Sequence, residues 1–260
     1  MTSDCKLAVG FLSAVALFAS SFFSVDAQGQ SGDDTPIHHE AISGHGGSSQ
    51  WLVDWAASWD SHYVSEGRDN LDGSSLWSTA VTWSWSGWSL GGWLAESSSA
   101  DYEEYNLFLS YGQSIGSFDW YLGVQSVGVV SDDQTDREVG AGLAYTGFSH
   151  WVPSLDYVYS DDAGGSFIEA SLRRDVSVTE VFSLSPYVMM GWNRGYVSAG
   201  HRGSNHVALG MEWAFSLNAH LSLGGHLTKN WGLNKRVTRW PDDAALKDFV
   251  YGGVSVLWEF

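Results

Sequence analysis

Cysteine is almost missing from this sequence: its one thiol, Cys5, sits beside the first apolar stretch, ahead of everything that reads as folded chain. A disulfide framework, a thiolate metal site and a cysteine nucleophile are therefore excluded for the remainder. Basic residues are scarce too. Lys and Arg number 12 against 30 Asp and Glu, a formal net charge of −18, which argues against nucleic acid as a partner because phosphate binding needs a basic patch. Charged residues of both signs make up only 16% of the chain, below the roughly one quarter usual in soluble domains. After the first apolar stretch no uncharged run approaches the about 20 residues that a membrane-crossing helix needs, so a helical membrane protein is excluded there.

Aromatic residues and glycine are abundant: 15 Trp, 11 Tyr, 12 Phe and 30 Gly. Aromatic girdles at both faces of a bilayer and many tight turns make this the composition of a transmembrane β-barrel. A soluble Trp-rich sugar-binding sandwich is the competing reading.

The first 27 residues read as a signal peptide. Lys6 gives a short positive region, residues 7–23 are apolar, and Val25-Asp26-Ala27 predicts cleavage before Gln28. An uncleaved anchor is the alternative, since the apolar stretch is close to spanning length. Residues 28–50, rich in Gly, Ser, Asp and His, have no apolar periodicity and are expected to be a flexible periplasmic segment. His38, His39 and His45 in it read as solvated side chains, because nothing fixes a metal-binding geometry.

From Trp51 to Phe260 the chain alternates apolar and polar residues in segments of about ten, separated by Gly, Ser, Asp and Asn. This is the pattern of strands and turns. Twelve strands are expected, over residues 51–63, 76–85, 88–96, 103–111, 118–130, 138–146, 154–160, 166–174, 184–196, 206–215, 220–231 and 249–260. Val207, Leu209, Met211, Trp213 and Phe215 against Ala208, Gly210, Glu212 and Ala214 is the clearest alternation. Joints after even-numbered strands are short and most of the others longer and polar, as in an up-and-down antiparallel outer-membrane barrel with its termini on the periplasmic side. The joint at residues 175–183 is longer than that rule allows.

The chain ends Val254-Ser-Val-Leu-Trp-Glu-Phe260, with Val254, Val256, Trp258 and Phe260 on one face. This resembles the C-terminal signal read by the bacterial barrel-assembly machinery, with Trp258 and Phe260 as its aromatic positions. Four further stretches resemble the TorF porin family: Trp55-Ala-Ala-Ser-Trp-Asp-Ser-His-Tyr-Val-Ser-Glu-Gly-Arg68, Phe167-Ile-Glu-Ala-Ser-Leu172, His206-Val-Ala-Leu-Gly-Met211 and Tyr251-Gly-Gly-Val-Ser-Val256. The resemblance implies an outer-membrane barrel with a pore and supplies no catalytic residue, cofactor or substrate.

With the apolar faces turned to lipid, the opposite faces carry Asp54, Asp60, His62, Glu104, Asp119, Gln125, Glu138, Asp156, Glu169, Arg173, His206, Glu212 and His226. The expected pore lining is Asp54, Asp60, Glu104, Asp119, Glu138, Asp156, Glu169, Arg173 and Glu212, an acidic wall that favours cations. The expectation is a passive channel for small polar solutes, with lipid and the assembly machinery as partners. The alternatives are a non-conducting structural or adhesive barrel and, third, a lipid hydrolase. An enzyme is not expected: His206, His220 and His226 fall on late strands among many serines, but neither a Gly-x-Ser-x-Gly elbow nor a His-Glu-x-x-His site is present. No cofactor or metal is implied. Lys235, Arg236, Arg239 and Trp240 in the longest loop are a candidate constriction, and His201-Arg202 reads as an outer-loop contact for lipopolysaccharide phosphate.

Overall fold

The computed structural model describes residues 51–131 and 133–260. The expected signal peptide (1–27) and the 28–50 segment with His38, His39 and His45 lie outside the described residues. The rest forms twelve barrel strands: β1 (Leu52–Asp60), β2 (Leu76–Trp85), β3 (Trp88–Ser97), β4 (Tyr102–Ile115), β5 (Phe118–Val129), β6 (Gln134–Tyr145), β7 (Trp151–Ser160), β8 (Gly165–Arg174), β9 (Phe182–Arg194), β10 (Gly203–Ser216), β11 (Leu221–Gly232) and β12 (Phe249–Glu259). Each pairs antiparallel with its neighbours in sequence, and β12 returns to pair with β1, Asp54 opposite Glu259 and Asp60 opposite Gly253. The Phe260 N–H donates to the Val53 carbonyl at 2.9 Å. Closure leaves none of the twelve barrel strands as a free edge of the wall. The expected all-β, twelve-stranded, up-and-down antiparallel barrel is the fold.

Local chemistry explains the turns. Ser86 and Gly87 both have positive φ (50° and 85°), the two-residue hairpin geometry that matches strand twist, so β2 and β3 join without a loop. The long joint after β8 resolves differently: Val176–Thr179 forms an extra short strand that pairs back on the start of β9. Strand β6 begins at Gln134, four residues before the expected 138, which shortens the preceding connection. The expected asymmetry of the two ends therefore rests on three long loops, residues 61–75, 195–202 and 233–248. The other three joints at that end are short.

Because strand side chains alternate, the wall has two chemistries. Outward lie Val81, Leu107, Leu122, Val139, Leu155 and Leu209, all exposed. Aromatic rows flank them. At the short-turn end Trp51 stacks on Trp83 with ring centroids 4.2 Å apart, and Trp88 meets Tyr111 and Phe118 meets Tyr145. At the long-loop end Trp59 packs beside Trp77. An apolar belt between two aromatic rows suits lipid on the outside of a barrel. Leu109→Arg, at the middle of this belt, is expected to lower stability in vesicles by about 2–4 kcal/mol. Denaturant titration of the inserted protein checks this, and an unchanged midpoint means that this face does not contact lipid.

Inward, polar side chains are mixed with apolar ones that strand periodicity does not single out. Leu76, Ala80, Trp93, Ala95, Tyr102, Val127 and Val129 form one apolar cluster, and Val158 and Phe167 belong to a second. Each is completed by loop residues, Tyr63 in the first and Tyr196 and Val197 in the second. A buried aromatic of this size contributes about 1.5–3 kcal/mol. The bore therefore has its own packed core, which residues from two loops complete.

Candidate functional site: the barrel interior

Strand register puts every strand-borne member of the expected lumen set on the inward face. Asp54 faces Thr82 and Glu259 across its ladders, Glu169 faces Asp156 and Gly191, and Glu212 faces Ser185 and His226. Asp60, Glu104, Asp119, Gln125, Glu138, Arg173 and His206 share this inward register. His62 belongs instead to the first loop, where its ring stacks on Phe249. The carboxylates are not equivalent. At the short-turn end and mid-height they hold wall contacts: Asp119 accepts from Ser114 Oγ (2.6 Å), Asp156 from Tyr121 Oη (2.9 Å), and Arg173 pairs with Asp175 at 3.0 Å. Glu212 is exposed and Tyr187 and His226 half-buried, so water reaches this part of the bore.

At the long-loop end the wall carboxylates hold loops. Glu104 accepts from Tyr63 Oη of the first loop at 2.7 Å, from Tyr102 Oη at 2.5 Å and from Asn106 Nδ2 at 2.9 Å. Glu138 accepts from Tyr196 Oη of the 195–202 loop at 2.5 Å and from Gln125 Nε2 at 2.7 Å. Two expected pore-lining groups thus anchor tyrosines that enter from outside. Sequence alternation places the carboxylates and is blind to their partners.

The deepest insertion is made by a tiny hairpin. Val64–Ser65 pairs with Arg68–Asp69 around Glu66 and Gly67, both at positive φ (46° and 66°), the two-residue turn that asks for glycine at its second position. Its tip rests on His206: an added Cβ at Gly67 would lie 2.2 Å from His206 Cγ. Asn230 Nδ2 donates to the Gly67 carbonyl (2.9 Å), Asn205 Nδ2 to that of Glu66 (2.6 Å), and Arg68 Nη1 to Asn205 Oδ1 (2.8 Å). Tyr63, Glu66, Arg68, Glu104, Glu138 and His206 are each only 2% exposed. The bore is filled at this level.

The last long loop closes over the hairpin. It carries a single 3-10 turn, Pro241–Ala244, and buries Asp243 and Leu246, not the expected basic group. Lys235, Arg236 and Arg239 are exposed and Trp240 half-buried. Lys235 pairs with Asp248 at 2.7 Å and Arg239 lies over the Trp240 ring. Asp243 receives the backbone N–H groups of His201 (3.1 Å) and Arg236 (3.0 Å), lies 3.0 Å from His201 Nδ1 and is 3.6 Å from Arg68 Nη2. Burial alone would raise its pKa, but these hydrogen bonds outweigh that and hold the carboxyl below its ordinary range. His201 is thereby corrected from an outer phosphate contact to a buried latch residue, its Nε2 2.9 Å from the Ser204 carbonyl; of that pair only Arg202 faces out.

The late-strand histidines make no serine contact among the described residues. His206 meets Asn205 and Glu169, His226 meets Asp60 at 3.3 Å, and His220 meets the Glu259 carbonyl. A Ser61–His62 contact of 3.0 Å joins chain neighbours at the rim. Trp258 and Phe260 close the outward row of β12, their rings 6.1 Å apart.

No protein-family model matches the chain, and no curated protein matches it in sequence. Solved structures do match. The KdgM porin is 8% identical with a TM-score of 0.55, over 80% of this chain and 99% of that one. The same porin in complex with disordered oligogalacturonate, also 8% identical, gives 0.53 over the same shares. The NanC porin is 10% identical and gives 0.52 over 79% and 98%. At such identities the likeness is one of fold.

Proposed function

We propose that the protein is an outer-membrane channel of the porin type for small polar solutes, cation-preferring, whose outer mouth is closed by its own loops. The observation that carries this is the closed barrel with a water-accessible acidic bore at one end and docked loops at the other. Asp54, Asp119, Asp156, Glu169, Glu212 and Glu259 line the wall, and Arg173 is the one Lys or Arg on the inward face of the described barrel strands, its charge met by Asp175. Such a wall concentrates cations and repels anions. The oligogalacturonate named for the KdgM complex is a polyanion, and here it would meet like charge. Membership of the TorF porin family, export by cleavage before Gln28 and assembly through Trp258 and Phe260 belong to the same proposal.

The test is planar-bilayer recording, in a salt gradient, of the refolded mature chain with residues 61–75 replaced by a short linker, which frees the bore of its plug. Cation-selective reversal is expected, moving toward zero in the triple variant Asp156→Asn, Glu169→Gln, Glu212→Gln. Anion selectivity before those three substitutions overturns the charge argument. The packing of Glu104 and Glu138 against loop tyrosines favours a second reading, a structural barrel that never conducts. Silence that persists after residues 61–75 are replaced by a short linker would establish it.

A further inference from the structure

A groove of about 660 Å³ opens on the outside of the barrel at the long-loop end, separate from the bore. Tyr157 and Tyr159 of β7 form its wall toward the apolar belt, and Arg194 and Arg202 its upper rim, with glycine backbone between them. Tyr159 is paired with outward-facing Ser166, which bridges to Gly195. A Cβ on Gly165 would lie 2.1 Å from the Gly195 carbonyl carbon, so the backbones touch and leave a shallow floor. The Arg202 guanidinium lies over Gly195, 2.9 Å from where a Cβ would stand, next to Arg194 in the chain.

Neither arginine has a hydrogen bond or ion pair among the described residues, so both guanidiniums are free to meet a ligand at the groove. Two guanidiniums thus line one groove in a chain of net charge −18. Their planar forks match phosphate oxygens, and tyrosines at this height flank a lipid chain. We propose that this groove binds a phosphorylated glycolipid of the outer leaflet, its phosphate on Arg194 and Arg202 and its acyl chain along Tyr157. The inference rests on the membrane placement proposed above. An apolar wall directly beneath the cations selects a lipid over a free anion.

Native mass spectrometry of the full mature chain in detergent provides the test, with bisphosphorylated lipid A, its dephosphorylated form and inorganic phosphate as probes. One bound bisphosphorylated lipid A is expected. Removing its phosphates, or the double variant Arg194→Gln, Arg202→Gln, is expected to weaken retention by about tenfold or more, the loss of a charge-assisted hydrogen bond. Equal retention of the dephosphorylated lipid overturns the proposal on unaltered protein, whatever the variant's folding. So does equal retention by the variant with heat-modifiable mobility intact, or displacement by inorganic phosphate at matching concentration, which would mark a free-anion site. Insertion into bilayers free of lipid A reports the membrane placement independently.

Discussion

Gly67→Val is expected to open the channel, raising its open probability in planar bilayers by about 30-fold or more. The new side chain meets two obstacles. The left-handed backbone at φ 66° costs a residue with a Cβ about 1–2 kcal/mol. That Cβ also falls 2.2 Å from His206 Cγ, and forced overpacking costs about 1–3 kcal/mol more. His206 has no room to retreat, since its Cε1 already stands 2.5 Å from where a Cβ on Gly191 would be and its ring stacks on Phe167. The hairpin must leave, and at about 1.4 kcal/mol per tenfold the sum of about 2–5 kcal/mol gives the stated change. Gly73→Ala is the control. Gly73 has φ 86°, but its nearest neighbour is His62 Nε2 at 4.0 Å, so the variant carries backbone strain without collision and should stay shut. A Gly67→Val barrel that keeps its heat-modifiable fold and never conducts would show that the hairpin is not the gate.

What the sequence makes legible follows from the range of each interaction. Alternation is local, so twelve strands and the facing of Asp54, Glu104, Asp156 and Glu212 can be read two residues at a time. Closure between β1 and β12 follows because an open sheet with an apolar face has no stable solution in lipid. The plug is another matter. Tyr63 and Glu104 are 41 positions apart, Arg68 and Asn205 137, and no periodic signal links them. A trace was available in Trp93, Phe108 and Phe167. Large apolar side chains on the polar face of otherwise alternating strands mark places where the bore is packed, not lined. In the same way Glu66-Gly67, inside the stretch that resembles a family loop, carries the sequence of a tight hairpin, and its inward course needed the His206 surface to be seen. The basic group Lys235–Arg239 draws attention by charge, yet charge keeps it in water. The loop's buried contacts come from Asp243 and Leu246, the latter 0% exposed.

Asp243→Ala is expected to release the plug at neutral pH, because one carboxylate joins all three loops. It takes backbone N–H groups from His201 and Arg236, the ring of His201, and the approach of Arg68 at 3.6 Å. Removing one partner of a buried pair costs about 3–5 kcal/mol, and here it leaves Glu66 as the main carboxylate near a guanidinium whose charge burial already disfavours. Arg68 regains water only by drawing the hairpin out. The same logic fixes a pH window. Asp243 is held below its ordinary range in the closed state, while a released loop would titrate near about 3.9. The latch therefore contributes fully above about pH 4, and its contribution disappears as pH falls through the lower, closed-state value. Unaltered channels should stay shut from neutrality down to about pH 4 and open only in stronger acid. Asp243→Ala should be open throughout and lack that acid step, with Asp243→Asn, which keeps one of the two acceptor oxygens and no charge, in between. Open probability recorded against pH for the three proteins decides it. A variant that remains shut with its fold intact would transfer the closing force from this carboxylate to Tyr63 and Tyr196 on the wall.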